Sequence, residues 1–216
     1  MHHIGSLAVS ITNDYKVTQV MSHAPQPKPT HSATHKPTSK LTPLNVAVLT
    51  LSDTRTSYND TSGDYLVEQL SQAGHIIADK QIVQDDKYIM RAVVSQWIAS
   101  TDIQAIITTG GTGFTERDCT PDALSPLFDK TVEGFGEIFR SVSFTEIGSS
   151  TIQSRALAGM ANNTVIFCLP GSTGACKTGW TLIQPQLDST HRPCNFVAHL
   201  KAAPLCDSRE TPRGAQ

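Results

Sequence analysis

Residues 45–51 read N-V-A-V-L-T-L, an unbroken apolar and β-branched run between Pro43 and the polar Ser52-Asp53-Thr54-Arg55. A run of this length and composition predicts a strand covered on both faces. Helical spacing follows it. Leu66, Leu70 and Ala73 recur within Asp60–Gly74, where Thr61 or Ser62 can cap the start and Gly74 supplies the stop. His75–Val83 reads as a second strand, and Asp85 or Asp86 caps a helix whose Met90, Val93, Val94, Trp97 and Ile98 form one apolar face. Ile103–Thr109 is a third strand. Thr120-Pro121 then opens a helix as an N-cap followed by proline at the first helical position, with Leu124, Leu127 and Phe128 inward. Val165–Leu169 is a late strand and Ser172–Leu187 a last helix. This alternation predicts an α/β sandwich with a mostly parallel sheet.

Composition agrees with such a domain once its ends are set aside. The chain has 216 residues, 38% hydrophobic and 17% charged, which is low for a globular protein. The dilution lies at the N-terminus, where Ser22–Pro43 is rich in Pro, Ser, Thr, His and Lys and offers almost nothing to bury. We therefore expect a disordered tail over 1–43, a folded unit over 44–200 and a flexible C-terminal tail over 201–216. Lys and Arg total 17 against 19 Asp and Glu, a net charge of −2, which argues against a nucleic-acid partner. No apolar run approaches the roughly 18 residues that span a bilayer, so no membrane role is expected. The Ile4–Ile11 stretch is short and has no Lys or Arg ahead of it, a poor secretory signal. The five cysteines include no C-x-x-C pair, so reduced thiols in a cytoplasmic protein are expected rather than a disulfide framework or a zinc site.

In a parallel sheet, ligands bind outside the carboxyl ends of the strands. Four loops fall there, and all are polar or glycine-rich. The strongest is Gly110-Gly111-Thr112-Gly113, whose three glycines permit positive φ and bring backbone N–H groups close to an anion. On the tetrapeptide alone, a tight strand-to-helix connection explains it equally well. Gly171–Thr178 approaches the G-x-x-x-x-G-K-T pattern, but Cys176 replaces the second glycine and no Walker B aspartate supports it. We read that segment as a helix N-terminus able to face an anion. Asp53, Asp85 and Asp118 each follow a different strand, so the fold should gather them at one rim. Carboxylates beside a phosphate nest are suited to Mg²⁺, which takes few protein oxygens and completes its shell with phosphates and water. Each aspartate alone reads first as a helix cap or a loop acceptor, and the three together beside the glycine loop read as a functional group. His75, His191 and His199 show no ligand spacing and read as structural.

The ordered set SDTR (52–55), D-x-S-G (60–63), ITTGGTG (107–113), T-x-R-D-x-TPDA (115–123), EGFGEIFR (133–140), QSRALAG (153–159) and LPGS (169–172) resembles the molybdopterin-binding MogA/MoaB family. The resemblance spans roughly Leu44–Leu200, and the stretches over 132–156, 169–178 and 192–196 point to its MoaB branch. It implies a three-layer α/β/α domain assembled as a homo-oligomer, trimer or hexamer, working beside other molybdenum cofactor synthesis proteins. It further implies a molybdopterin adenylyltransferase that takes ATP with Mg²⁺ and releases pyrophosphate. By motif, the two aspartates essential in such enzymes fall on Asp85 and Asp118, which would also hold the Mg²⁺. Ser52, Asp53, Asp60, Gly110, Gly111, Thr112, Gly113, Thr120, Pro170, Gly171 and Ser172 match the ligand-binding loops, and Ser154-Arg155 matches a further family motif. Adenylyltransferases of this family usually read P-G-x-P where this chain has Pro170-Gly171-Ser172-Thr173. The rival expectation is a protein that binds molybdopterin or its precursor and hands it on.

Overall fold

The run N-V-A-V-L-T-L forms strand β1 (Asn45–Leu51), and six of its seven residues are buried. The computed structural model describes residues 41–202. The expected tails, all but 41–43 of the first and all but 201–202 of the second, lie outside the described residues. β1 pairs in parallel with β2 (Ile76–Val83) on one side and β3 (Ala105–Thr109) on the other, and β3 pairs in parallel with β6 (Thr164–Leu169). Two strands not anticipated from sequence complete the sheet. β5 (Leu157–Ala161) runs antiparallel to β6, and the two-residue β4 (Lys130–Thr131) runs antiparallel to β5. The order is β2-β1-β3-β6-β5-β4.

Alternation along each strand sends residues to two cores. Val46 and Val48 of β1, Ile107 of β3 and Phe167 of β6 pack against α1 (Thr61–Gln72), α4 (Glu133–Ile147) and α5 (Thr173–Leu187). Ala47, Leu49, Ile106 and Ile166 face α2 (Lys87–Ala99) and the short α3 (Thr120–Leu124). The result is the expected α/β architecture, with a mostly parallel six-stranded sheet between two helical layers. No helix among the described residues is long and apolar enough to cross a membrane.

The helix ends correct two sequence expectations and decide between the two residues offered for a third. Asp60, not Thr61 or Ser62, caps α1 by accepting from the Gly63 amide at 3.0 Å. Asp86 is the cap of α2, accepting from the Tyr88 and Ile89 amides, which leaves Asp85 free of that task. Thr120 is the first residue of α3 and not its cap, because its hydroxyl is spent on the Gly110 carbonyl at 2.8 Å. Gly74 performs as expected. At φ +86° it closes α1 with the Gly74 amide on Ser71 O and the His75 amide on Leu70 O, the paired bonds of a Schellman stop. β5 and β6 are joined by Asn162-Asn163, both at positive φ, as a two-residue hairpin with right-handed strand twist requires.

Candidate functional site

Strand order reverses direction on either side of β1, so the crevice between the carboxyl ends of β1 and β3 is the topological switch point. The glycine loop occupies it. Gly110 (φ +116°) and Gly111 (φ +61°) turn in succession, and a Cβ on Gly110 would lie 2.2 Å from Leu51 O. The turn is held below by the Gly110 amide on Leu169 O and by Thr120, whose amide donates to Gly111 O at 2.9 Å. Among the described residues the amides of Gly111 and Thr112 make no hydrogen bond to protein. The loop is therefore both the tight connection and a set of free donors at the switch point.

The three aspartates do meet at this rim. Asp53 Oδ1 accepts from the Asp85 amide at 3.3 Å, while the Arg117 guanidinium pairs with Asp53 Oδ2. Asp118 Oδ2 accepts from both the amide and the hydroxyl of Thr115, at 2.8 and 2.6 Å. Burial alone would raise the Asp118 carboxyl, but the bonds from Thr115 and Gly113 and the charge of Arg155 hold it below the ordinary value. Asp85 moves the other way. Burial, then the negative charges of Asp53 and Asp118, push it up against the opposing charge of Arg117. Its Oδ1 is buried without a hydrogen-bond partner, next to the Gly111 Cα side of the loop. An orphaned carboxylate oxygen among like charges is what a cation or a bound donor would relieve.

Two cavities of about 520 and 530 Å³ share Asp118 as their common wall. The first, the glycine-rich cavity, collects Ser52, Gly110–Gly113, Ser154, Pro170, Gly171 and Ser172 around a floor that includes Phe139 and Ala175. Ser172 caps α5 by accepting from the Ala175 amide, so the N-terminus of that helix opens here. The second cavity holds Asp85, Arg117, Lys87 and two aromatics, Tyr88 and Phe114, that are 69% and 70% exposed. Lys177, the would-be P-loop lysine, lines neither, and Cys176 is buried against the Thr109 hydroxyl at 3.2 Å.

Other expected site residues support the walls. Asp60 is fully buried, bonded to the Thr50 hydroxyl at 2.8 Å and ion-paired with Arg55 and Lys80, so it faces neither cavity. Thr120 is likewise buried beneath the loop. Arg155 is a clamp: Nε donates to Gly113 O at 2.8 Å, the guanidinium reaches Asp118 O and Asp122 Oδ2, and the group lies 5.2 Å from the Phe114 ring centre. It ties the glycine loop to the Asp118 loop.

Several site residues escaped the sequence reading. Arg55 lines the glycine-rich cavity and donates to Gly171 O at 3.1 Å. Its place in the SDTR motif was visible, but its target, 116 residues away, was not. Ser143, Glu146, Ser150 and Gln153 come from α4 and the 3₁₀ turn after it (Gly148–Gln153), a region whose motif was recognised without an element being assigned to it. His75 is structural as expected, its Nδ1 accepting from the Leu44 amide at 3.3 Å.

The family described as "probable molybdopterin binding domain" matches residues 47–189, which include every residue of the two cavities. The chain is 58% identical over 160 residues to molybdenum cofactor biosynthesis protein B of Escherichia coli (strain K12), covering 74% of this chain and 94% of that protein. It is 46% identical over 142 residues to the protein of the same name from Bacillus subtilis (strain 168), covering 65% and 84%. Among solved structures, a molybdenum cofactor biosynthesis protein B superposes with TM-score 0.67 at 42% identity, covering 69% of this chain and 94% of that one. A tungsten cofactor synthesizing protein from Pyrococcus furiosus superposes with TM-score 0.61 at 37% identity, covering 67% and 92%.

Proposed function

We infer the function from one premise: this chain belongs to the molybdopterin-binding domain family, and its place is in molybdenum cofactor biosynthesis. On that footing we propose that it binds molybdopterin and adenylylates it with ATP. A terminal phosphate oxygen of molybdopterin attacks the α-phosphorus of ATP, a new P–O–P anhydride forms, and the α–β bond breaks to release pyrophosphate. A phosphate nucleophile is already an anion, so the transfer needs no general base. It needs two polyanions held in line and their charge neutralised.

The observation that carries this reading is the pair of cavities meeting at Asp118. The glycine-rich cavity suits the pterin and its phosphate, with free amides at Gly111 and Thr112 and the α5 N-terminus as donors. The second suits a nucleotide triphosphate, with Arg117 and Lys87 for phosphate charge and exposed aromatics for a base. The aspartates fit a Mg²⁺ that travels with the nucleotide. Among the described residues no three His, Cys, Asp or Glu side chains form a metal cage, but Asp85 carries an unpartnered buried oxygen and Mg²⁺ needs only one or two carboxylates beside phosphates. When bound, the ion would offset phosphate charge; Asp85 and Asp118 would hold it. Arg155 and Thr120 keep the two loops in register.

The same proposal includes self-association. Ile138, Phe144 and Ile147 of α4, with Ile152 just after it, are each more than half exposed, and a homo-oligomer, trimer or hexamer, would cover them. Pyrophosphate release that requires both molybdopterin and ATP tests the activity. Release without molybdopterin, or none with both present, would refute it and favour a binding and hand-over role.

A further inference from the structure

One carboxylate in the glycine-rich cavity has no task in the transfer just described. Glu146, in the last turn of α4, lines that cavity beside Ser143, Ser150 and Gln153. Its Oε2 accepts from the Thr178 hydroxyl of α5 at 2.8 Å, which fixes the group across the gap between two helices. Thr178 is itself 4% exposed, so this donor is not a mobile surface group. Among the described residues Oε1 takes no hydrogen bond and the carboxylate has no Lys or Arg partner. Glu146 itself is exposed, and the bond from Thr178 orients it toward the cavity while leaving acceptor capacity to spare. Among the described residues Asp118 is the only other carboxylate lining this cavity, and its Oδ2 is engaged by Thr115 at the far wall.

We propose that Glu146 recognises the pyrimidine edge of the pterin. The inference rests on reading the glycine-rich cavity as the pterin side. A pterin presents adjacent N–H donors, the 2-amino group and N3–H, spaced to meet the two oxygens of one carboxylate in a forked pair. Carboxylate acceptors form such pairs with planar amidine-like donors more strongly than neutral acceptors do. A lumazine, with oxygen in place of the 2-amino group, keeps the ring and N3–H but turns a repelling carbonyl toward the carboxylate. Glu146 would thereby select 2-amino-4-oxo pteridines over dioxo ones, and Thr178 would act as the positioning residue that keeps the acceptor in place.

The test is calorimetric titration of the full chain with 6-hydroxymethylpterin phosphate and with its lumazine counterpart. Wild type should prefer the pterin by about tenfold or more, the scale of discrimination expected when a site built for hydrogen bonding loses a partner. Glu146→Gln should weaken pterin binding by roughly 10- to 100-fold and leave lumazine binding within about threefold, abolishing the preference. Thr178→Val, nearly isosteric, should lose part of the preference while its melting temperature stays close to that of wild type. Preference that survives Glu146→Gln overturns the assignment of Glu146. Failure of wild type to bind either compound overturns the pterin cavity itself, and this inference with it.

Discussion

Replacing Asp85 by asparagine should make the unliganded protein more stable and the enzyme nearly inert. Asp85 holds a buried oxygen without a partner beside two like charges, and its carboxyl is pushed up by burial and by Asp53 and Asp118. Asparagine keeps a polar atom at that place but removes the charge, and an unsatisfied buried charged group costs more than a neutral one, whose cost is on the order of 1–3 kcal/mol. Arg117 offsets part of this and the side chain is only half-buried, so a net gain of about 0.5–1 kcal/mol is the reasonable expectation for Asp85→Asn. For a domain of this size, that corresponds to a melting temperature higher by about 1–4 °C. The pH dependence has a definite sign. A carboxyl raised in the folded state penalises folding only where it is ionised, so the advantage of Asp85→Asn is full at neutral pH. It should shrink as the pH falls through the raised range of the folded carboxyl and be gone below about 4, where the unfolded carboxyl is protonated as well. Adenylyl transfer should fall by roughly 100-fold or more, the scale of losing one strong electrostatic contact to the transition state. Calorimetric melts from pH 4 to 8, with turnover on the same samples, read both quantities. A destabilised variant, or a stabilised one with near-normal turnover, would refute the reasoning.

Gly110→Ala places a Cβ 2.2 Å from Leu51 O at φ +116°, so it should cost about 2–3 kcal/mol in thermal or urea unfolding, and an unchanged melt would contradict the loop geometry. Gly111→Ala meets the Thr120 hydroxyl at 2.5 Å, so stability and phosphate affinity should fall together, the latter read by titration with molybdopterin. Burial holds the His75 imidazole below its ordinary value, so the unfolded chain takes up the proton first and stability should decline as pH falls below about 6.5. His75→Gln should flatten that decline in melts between pH 7.5 and 5.5. Arg155→Lys keeps the charge but loses the fork that joins Gly113 O to Asp118 O, so we expect about 1–2 kcal/mol less stability and a higher KM for ATP in steady-state assays.

What could be read in the sequence was the part that local physics dictates. The parallel strands 45–51, 105–109 and 164–169 are buried on both faces, and such strands announce themselves as apolar runs, whereas the edge strand 76–83 is only partly covered. Loops at their carboxyl ends followed from topology, and with them the meeting of Asp53, Asp85 and Asp118. β5 was missed because L-A-G-M-A has neither β-branched residues nor alternation, although the Asn162-Asn163 turn signal stood beside it. α4 carries Gly134 and Gly136 in its first turn, which weakens a helical pattern, and its burial of Phe135 and Phe139 depends on Phe167 and the sheet. The division of labour within the site was hidden for the same reason. Asp60 and Thr120 stand in family motifs as readily as Asp85 does, yet only tertiary contacts show that their polar atoms are spent on Thr50 and Gly110 while Asp85 Oδ1 is spent on nothing.

The most direct measurement follows the label. Purified protein would be incubated with molybdopterin, Mg²⁺ and ATP labelled either at the α- or at the γ-phosphate, and the pterin product separated and counted. Adenylyl transfer predicts α-label on the pterin, one per molecule, with all γ-label in pyrophosphate. Pterin that binds but carries no label from either ATP would contradict the account and leave the protein a carrier of molybdopterin rather than the enzyme that modifies it.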